Sequence, residues 1–191
     1  MRDLLKLFTR LVLGAYMVVH GSQKLFGAFG GPGPEKAGAG FEAMGLRPGK
    51  EMATLAGATE VGGGILTATG LADPLGPMMI MGSMSVATVS HRSKGPMAAK
   101  GGFELPLTNF ALAALVAAAG PGRFAIHLPL PKKLLVAAAA GGGALAGISL
   151  AQLLRARPPA PAVPERDSQT ASARPSTGKP NGQHADPAPG A

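Results

Sequence analysis

The chain has 191 residues, of which 46% are hydrophobic, and its formal net charge at pH 7 is +8. It contains no cysteine, which excludes disulfides, thiolate catalysis and Cys-ligated metal sites within the chain. The chain has one Tyr and no Trp for base stacking, so anionic lipid headgroups suit its basic charge better than nucleic acid does.

The first apolar run, residues 4–26, is long enough to cross a bilayer but carries Arg10, His20 and Lys24. It is longer than the apolar part of a secretory signal, and no small-x-small cleavage site follows it, so we predict a retained membrane helix. An ionisable group in a membrane helix faces the bundle interior or a water-filled cavity. The three basic residues therefore require partners elsewhere in the chain.

Four further segments have the composition of membrane helices. Residues 52–71 approach spanning length, but Glu60 and five glycines mean that neighbouring helices must support this segment. Residues 74–90, 103–119 and 134–154 follow as apolar helices. Between the first two spans, a Gly- and Pro-rich stretch predicts a loop, with one interfacial turn of helix at FEAMGL.

We therefore predict an all-α integral membrane bundle in three parts. A four-helix membrane domain covers residues 1–130, an additional transmembrane helix covers 131–154, and a Pro- and Ala-rich tail covers 155–191. The tail has almost no bulky apolar residues, so burial cannot offset the entropy lost on ordering, and we predict that it is disordered.

Small and flexible side chains indicate where the helices pack. Small residues let helix backbones approach closely in lipid, and we assign this role to Gly14, Gly21, Gly62, Gly63, Gly143 and Gly147. Methionine commonly fills irregular gaps, and we interpret four methionines in the third span as packing or lipid-facing residues: Met78, Met79, Met81 and Met84.

Helical rise places several polar residues at a similar depth. We call the membrane face at the amino end of the first span side A and the opposite face side B. At 1.5 Å per residue, His20 lies about 9 Å and Glu60 about 12 Å inward from side B, so these two can meet. Arg10 lies about 24 Å from side B and is the second-choice partner of Glu60. The predicted intramembrane polar cluster comprises Arg10, His20, Lys24, Glu60, His91, Glu104 and Asn109.

This cluster has a structural and a functional interpretation. A buried carboxylate paired with a basic residue can simply hold marginal helices in register. Alternatively, Glu60 and His20 can serve as proton-relay or ligand-binding groups. No Ser-His-Asp pattern or phosphate-binding loop accompanies them, so no catalytic residue is assigned. Two histidines and Glu60 are widely spaced, which is only a weak indication of a metal site, and no metal is assigned.

Short motifs follow one another in a characteristic order. They are R-x3-G-x5-HG-x2-KLF beginning at Arg10, E-x-GGG at Glu60, the segment from His91 to GGFELP, and GPGRFAIH ending at His127. With these motifs the chain resembles the DoxX family of small membrane proteins over residues 4–130. It departs from the family pattern where His127 replaces the Asp that closes GPGRxSxD, and in its fifth helix and tail.

The resemblance implies a four-helix membrane bundle related to DoxD-type subunits linked with thiosulfate:quinone oxidoreductase, and to membrane partners in oxidative-stress complexes. It thereby favours an accessory subunit of a redox system over a self-sufficient enzyme. The polar cluster would bind a quinone headgroup or a small anion. The alternative is a structural or cargo-binding membrane protein without a redox role. A small-solute transporter is disfavoured, because no inverted repeat is visible.

The expected partners are membrane lipids and either another redox protein or further copies of the chain. The expected location is the bacterial plasma membrane. Lys and Arg residues between and beside the predicted spans are more numerous on side B than on side A. By the positive-inside rule, side B and the tail are predicted to be cytoplasmic.

Overall fold

A computed structural model describes residues 1–126 and 131–156 of the chain. These residues contain no strand, and their helices are α1 (Arg2–Phe26), α2 (Gly33–Ala43), α3 (Gly49–Thr69), α4 (Leu75–Ser90), α5 (Glu104–Ala119) and α6 (Lys132–Arg155). The all-α prediction is confirmed. His127 and the part of the predicted tail beyond residue 156 lie outside the described residues.

The predicted loop between the first two spans contains a helix that sequence reasoning missed. Helix α2 covers Gly33–Ala43, whereas only a turn around FEAMGL was expected. Pro34 lies in the first turn, where its missing N–H does no harm. Close packing on α3 stabilises this short helix, since a Cβ at Gly38 would lie 2.8 Å from the Lys50 Cα. Tertiary contact therefore overrides the Gly- and Pro-rich composition.

Helices α1 and α3 are antiparallel and nearly in backbone contact. A Cβ added at Gly14 would lie 2.5 Å from the carbonyl oxygen of Gly64, and one at Gly21 would lie 2.5 Å from that of Gly57. Glycine is required at these positions because any side chain would push the helices apart. The two contacts, seven residues apart on each helix, hold α1 and α3 in a single register.

The other glycines assigned to packing differ in their surroundings. A Cβ at Gly63 would lie 3.1 Å from the Met79 Cβ, so Gly63 lies at the contact of α3 with α4. A Cβ at Gly62 would only touch the end of the Met79 side chain, at 3.4 Å. Among the described residues, nothing lies within 4 Å of a Cβ at Gly143 or Gly147. Gly57 and Gly64, which face Gly21 and Gly14 across the contact of α1 with α3, were not among the glycines assigned to packing.

The apolar core lies between α1, α4 and α5 and consists of Leu13, Met17, Ile80, Met84, Ala113 and Val116. Two helices, Arg2–Phe26 and Lys132–Arg155, are long and apolar enough to cross a membrane, and Leu75–Ser90 and Glu104–Ala119 are shorter apolar helices. Both long helices expose large apolar side chains, among them Leu4, Leu5, Phe8, Leu134, Val136 and Ile148. Apolar surface of this extent is typical of contact with lipid.

Candidate functional site

Helix α1 buries one face, and that face carries two polar sites at different depths. The buried residues of α1 are Arg10, Leu13, Gly14, Met17 and Gly21. Arg10 lies in the half nearer side A, and Lys24 lies in the last turn, at side B. The face of α1 that carries Arg10 therefore points into the bundle.

Arg10 is 1% exposed and binds backbone carbonyls rather than a carboxylate. Its Nε donates to the carbonyl oxygen of Thr67 at 2.9 Å, and Nη2 donates to that of Ala68 at 2.8 Å. Its Nη1 donates to the carbonyl oxygen of Pro121. Carbonyls in the last turn of a helix lack intrahelical partners, and cations are favoured there. Arg10 thus caps α3, and we call this group of contacts the Arg10 site. The expected second-choice contact between Arg10 and Glu60 does not form.

The loop that follows α5 is also held by α1. The Lys6 Nζ donates to the carbonyl oxygen of Ala119 at 2.5 Å, and the Asp3 carboxylate accepts from the Arg123 N–H at 3.4 Å. Together with the Arg10 bond to Pro121, these contacts bring the GPGR segment against the amino half of α1. Side A is therefore closed by hydrogen bonds between α1, the end of α3 and this loop.

Glu60 lies in the side-B half and makes two side-chain contacts. Its Oε2 lies 2.6 Å from the Lys24 Nζ, and its Oε1 accepts from the Ser83 hydroxyl at 3.2 Å. The Glu60 side chain is 4% exposed, and that of Lys24 is 22% exposed. We call Lys24, Glu60 and Ser83 the Glu60 cluster. It links α1, α3 and α4.

The antiparallel register explains why Lys24 reaches Glu60. Side chains on a helix lean toward its amino end. Lys24 therefore leans inward from the end of α1, while Glu60 on α3 leans outward toward side B. The two side chains approach each other across an axial offset of about one turn, roughly 6 Å.

His20, the expected partner of Glu60, has a different neighbour. Its ring lies 4.3 Å from the Tyr16 ring, measured between centroids, with the planes tilted by 57°. Ser83, which does bind Glu60, was not predicted. Its signal was weak, because the sequence cannot distinguish it from Ser85 and Thr88, whose hydroxyls bond carbonyls of their own helix.

The three remaining residues of the predicted cluster have different surroundings. The His91 Nδ1 lies 2.9 Å from the carbonyl oxygen of Ala87 and 3.0 Å from the Ser90 hydroxyl, at the end of α4. Glu104 is exposed and accepts a hydrogen bond from the Ala98 N–H at 3.0 Å, so it organises the loop before α5. Asn109 is half-buried on α5.

A partly open cavity of about 790 Å³ lies beside the Glu60 cluster, mainly in the side-B half. All six helices contribute to its wall. Its polar lining includes His20, Lys24, Glu60, Ser83, His91 and Asn109. Arg10 and Glu104 are not among its lining residues. The cavity thus separates the predicted polar residues into those that face a common space and those that do not.

The rest of the cavity wall is mostly apolar and rich in methionine. Six of the nine methionines of the chain line it: Met17, Met44, Met52, Met78, Met79 and Met84. Methionine has three rotatable bonds and adapts to ligands of irregular shape. A cavity with an apolar wall and a few convergent polar groups is the usual form of a small-molecule site.

In the comparison with protein families, the DoxX family model matches residues 5–93. Residues 5–93 are a DoxX domain. No curated protein and no solved structure matches the chain. The DoxX domain comprises nearly all of α1 and the whole of α2, α3 and α4, so it contains the Glu60 cluster and Arg10 with its partners Thr67 and Ala68. Pro121, the third partner of Arg10, lies beyond the match. Helices α5 and α6 lie beyond the match.

The chain thus carries a DoxX domain, and two of its helices are long and apolar enough to cross a membrane. Within residues 1–126 and 131–156, no group of three or more His, Asp or Glu side chains is placed to hold a metal ion. The imidazole and amide groups of the cavity can donate hydrogen bonds to oxygen atoms of a ligand, and its apolar wall can cover a ring.

Proposed function

We propose that this DoxX-family protein is a quinone-interacting accessory subunit of a membrane redox system. The observation that carries the proposal is the cavity, which joins an apolar wall to a polar end formed by His20, His91, Asn109 and the Glu60 cluster. A quinone has the same division, because its ring is apolar and its two carbonyl oxygens accept hydrogen bonds. A bound quinone would supply two-electron chemistry, and the chain would hold and orient its headgroup.

The charges of the site favour a neutral headgroup over a small anion. The Lys24 ammonium is already paired with the Glu60 carboxylate at 2.6 Å, so the pair presents no net charge. The other lysine of the described cavity wall, Lys36 on α2, is exposed to solvent, where its charge is hydrated. The side chains of His20 and Asn109 make no hydrogen bond with the other described residues, which leaves their polar atoms available to a ligand. We assign headgroup recognition to these two residues and the support of their helices to the Glu60 cluster.

We further propose that electrons reach the headgroup from a partner protein and that the membrane is the bacterial plasma membrane. The side-B end of the cavity is the proposed point of exchange. The excess of Lys and Arg on side B supports a cytoplasmic position for that side. Limited proteolysis of sealed vesicles of known orientation tests this placement.

The binding test uses the purified full-length protein in nanodiscs and a short-chain benzoquinone. We expect the double substitution His20→Ala and Asn109→Ala to weaken binding about a hundredfold, since each lost hydrogen bond to a ligand costs about 0.5–1.5 kcal/mol and leaves a carbonyl unpaired. Glu104→Gln is the matched control, because Glu104 was predicted for the same cluster but does not line the cavity. Equal affinity in the double variant and the control would contradict the proposal.

A structural role is the second candidate, and one observation favours it. Both Glu60 oxygens already have partners inside the chain, on α1 and α4. If the Glu60 cluster only joins helices, Glu60→Gln will lower thermal stability in detergent, and no benzoquinone binding will be measurable in the wild type. Co-purification with mass spectrometry of bound quinone and protein partners separates the two functions directly.

A further inference from the structure

We infer that the cavity holds a long hydrocarbon chain as well as a headgroup, and that this chain lies in a groove between α4 and α6. The inference rests on the proposed function and specifies its ligand as an amphipathic molecule with an apolar tail. It assigns to α6 a binding role that lies outside the DoxX domain.

The first support is the way in which polar groups are distributed along the cavity. On α4 the lining extends from Leu75 to His91, a rise of about 24 Å. On α1 the polar lining residues are Tyr16, His20 and Lys24, and on α3 they are Thr59 and Glu60, so none lies farther toward side A than Tyr16 or Glu60. The cavity therefore continues toward side A as an apolar groove, well beyond the space that one ring occupies.

The second support is the composition of the groove wall that α6 provides. It begins at Ala138 and includes Gly142, Gly143 and Ala146. Ser149 is the polar residue of this wall, and its hydroxyl already donates to the carbonyl oxygen of Leu145 at 2.9 Å. An ordered water needs two to four polar partners. Within the described residues this wall offers only the remaining acceptor capacity of the Ser149 oxygen, so a hydrocarbon chain is the suitable occupant.

The third support is the way in which α6 is attached. Its carboxyl end is fixed, because Gln152 makes two hydrogen bonds to the backbone of Arg47, at 3.1 and 3.0 Å. Farther toward side A, a Cβ at Gly82 of α4 would lie 3.7 Å from the Ala146 Cβ. Beyond Ala146, a Cβ at Gly143 or Gly142 meets nothing within 4 Å. The space between α4 and α6 is therefore wider on the side-A side of Ala146, where the groove lies.

The test compares two benzoquinones that share a headgroup, one without a chain and one with a ten-carbon chain, in nanodiscs containing the full-length protein. We expect the wild type to bind the chain-bearing compound at least about tenfold more tightly, as burial of two or more methylenes requires. Gly143→Phe fills the groove and should reduce this preference to less than about twofold. Gly147→Phe is the matched control, since Gly147 has equal space around it but does not line the cavity.

Labelling gives a second measurement that does not depend on how phenylalanine is accommodated. The chain has no cysteine, so Gly143→Cys and Gly147→Cys each create a single labelling site. The two benzoquinones for this measurement have all four ring positions substituted, with a methyl group in place of the chain in the chainless compound, so that neither ring adds to the thiol. The chain-bearing quinone should slow maleimide labelling of the Gly143→Cys variant about tenfold, and the chainless compound should not. Labelling of the Gly147→Cys variant should be unaffected by either compound.

The outcomes separate this inference from the proposed function. If chainless quinone binds through His20 and Asn109, but Gly143→Phe and Gly147→Phe have the same chain preference, the groove is not the chain site and only the inference is overturned. If neither quinone binds the wild type, the proposed function fails and the inference fails with it.

Discussion

The Arg10 site and the Glu60 cluster lie on the same face of α1 but differ in how completely the chain satisfies them. Arg10 is 1% exposed, and each of its three guanidinium nitrogens donates to a backbone carbonyl. The Glu60 cluster also contains a buried group, but its Lys24 side chain is 22% exposed and borders the cavity. The Arg10 site joins α1, α3 and the loop after α5 at side A. Beside the Glu60 cluster, the side chains of His20 and Asn109 make no hydrogen bond with the other described residues.

The difference shows that a charged residue in a membrane helix is not in itself evidence of a ligand site. Arg10 is the deeper and better buried of the two cations, yet its contacts explain it completely as a cap on α3. Lys24 lies nearer the end of its helix, where a charge is less costly. It is nevertheless Lys24, and not Arg10, that lines the cavity. The two sites should therefore respond differently to substitution.

The largest expected effect comes from Arg10. Arg10→Met should reduce the free energy of unfolding by at least about 3 kcal/mol, because each buried carbonyl left unpaired costs about 1–3 kcal/mol. Thermal unfolding in detergent measures the loss, and the exposed Arg92→Met is the control. A loss in Arg10→Met no greater than in the control would mean that Arg10 does not close side A.

Substitutions in the Glu60 cluster should have the next largest effect. Lys24→Met leaves a buried carboxylate without its cation and should cost about 2–4 kcal/mol. Glu60→Gln should cost less, since Lys24 is partly exposed and can extend to water. The double variant should be less destabilised than the sum of the single variants, which a double-mutant cycle in detergent measures. Strict additivity would show that the pair does not act as a unit.

The glycine contacts should sharpen the comparison, because they are equally tight at both sites. Gly14→Ala near the Arg10 site and Gly21→Ala near the Glu60 cluster should each cost about 1–3 kcal/mol, the usual range for overpacking. Gly40→Ala, where a Cβ meets nothing within 4 Å, should be neutral or slightly stabilising. A difference between Gly14→Ala and Gly21→Ala would show that the two halves of the α1–α3 contact are not equivalent.

The smallest expected effect is a pH dependence at side A. Burial raises the pKa of Asp73, in the turn between α3 and α4, while Arg10 and Lys6 act to lower it. With the folded pKa raised, the contribution of Asp73 to stability is present below its unfolded pKa of about 3.9 and is lost as the pH rises through the folded pKa. Asp73→Asn should thus gain stability over the wild type at pH 7 but not at pH 4. An equal difference at both pH values would contradict this.

The sequence was sufficient for the features that depend on one helix at a time. Apolar runs predicted the helices α1, α3, α4, α5 and α6, because length and hydrophobicity are local properties. Motif order indicated the DoxX family, which the match over residues 5–93 confirms. The short helix α2 was missed, since its stability comes from contact with α3 rather than from its own composition.

The position of each polar residue along its own helix followed from the sequence, because helical rise is constant, but the partner of each residue did not. His20 and Glu60 were expected at similar depths and were predicted to meet, yet Lys24 and Ser83 bind the carboxylate. Partner choice depends on the direction in which side chains lean and on the register that Gly57 and Gly64 impose. The use of backbone carbonyls by Arg10, and the position of α6 along the cavity, likewise depend on contacts between helices, and only the tertiary structure decides these.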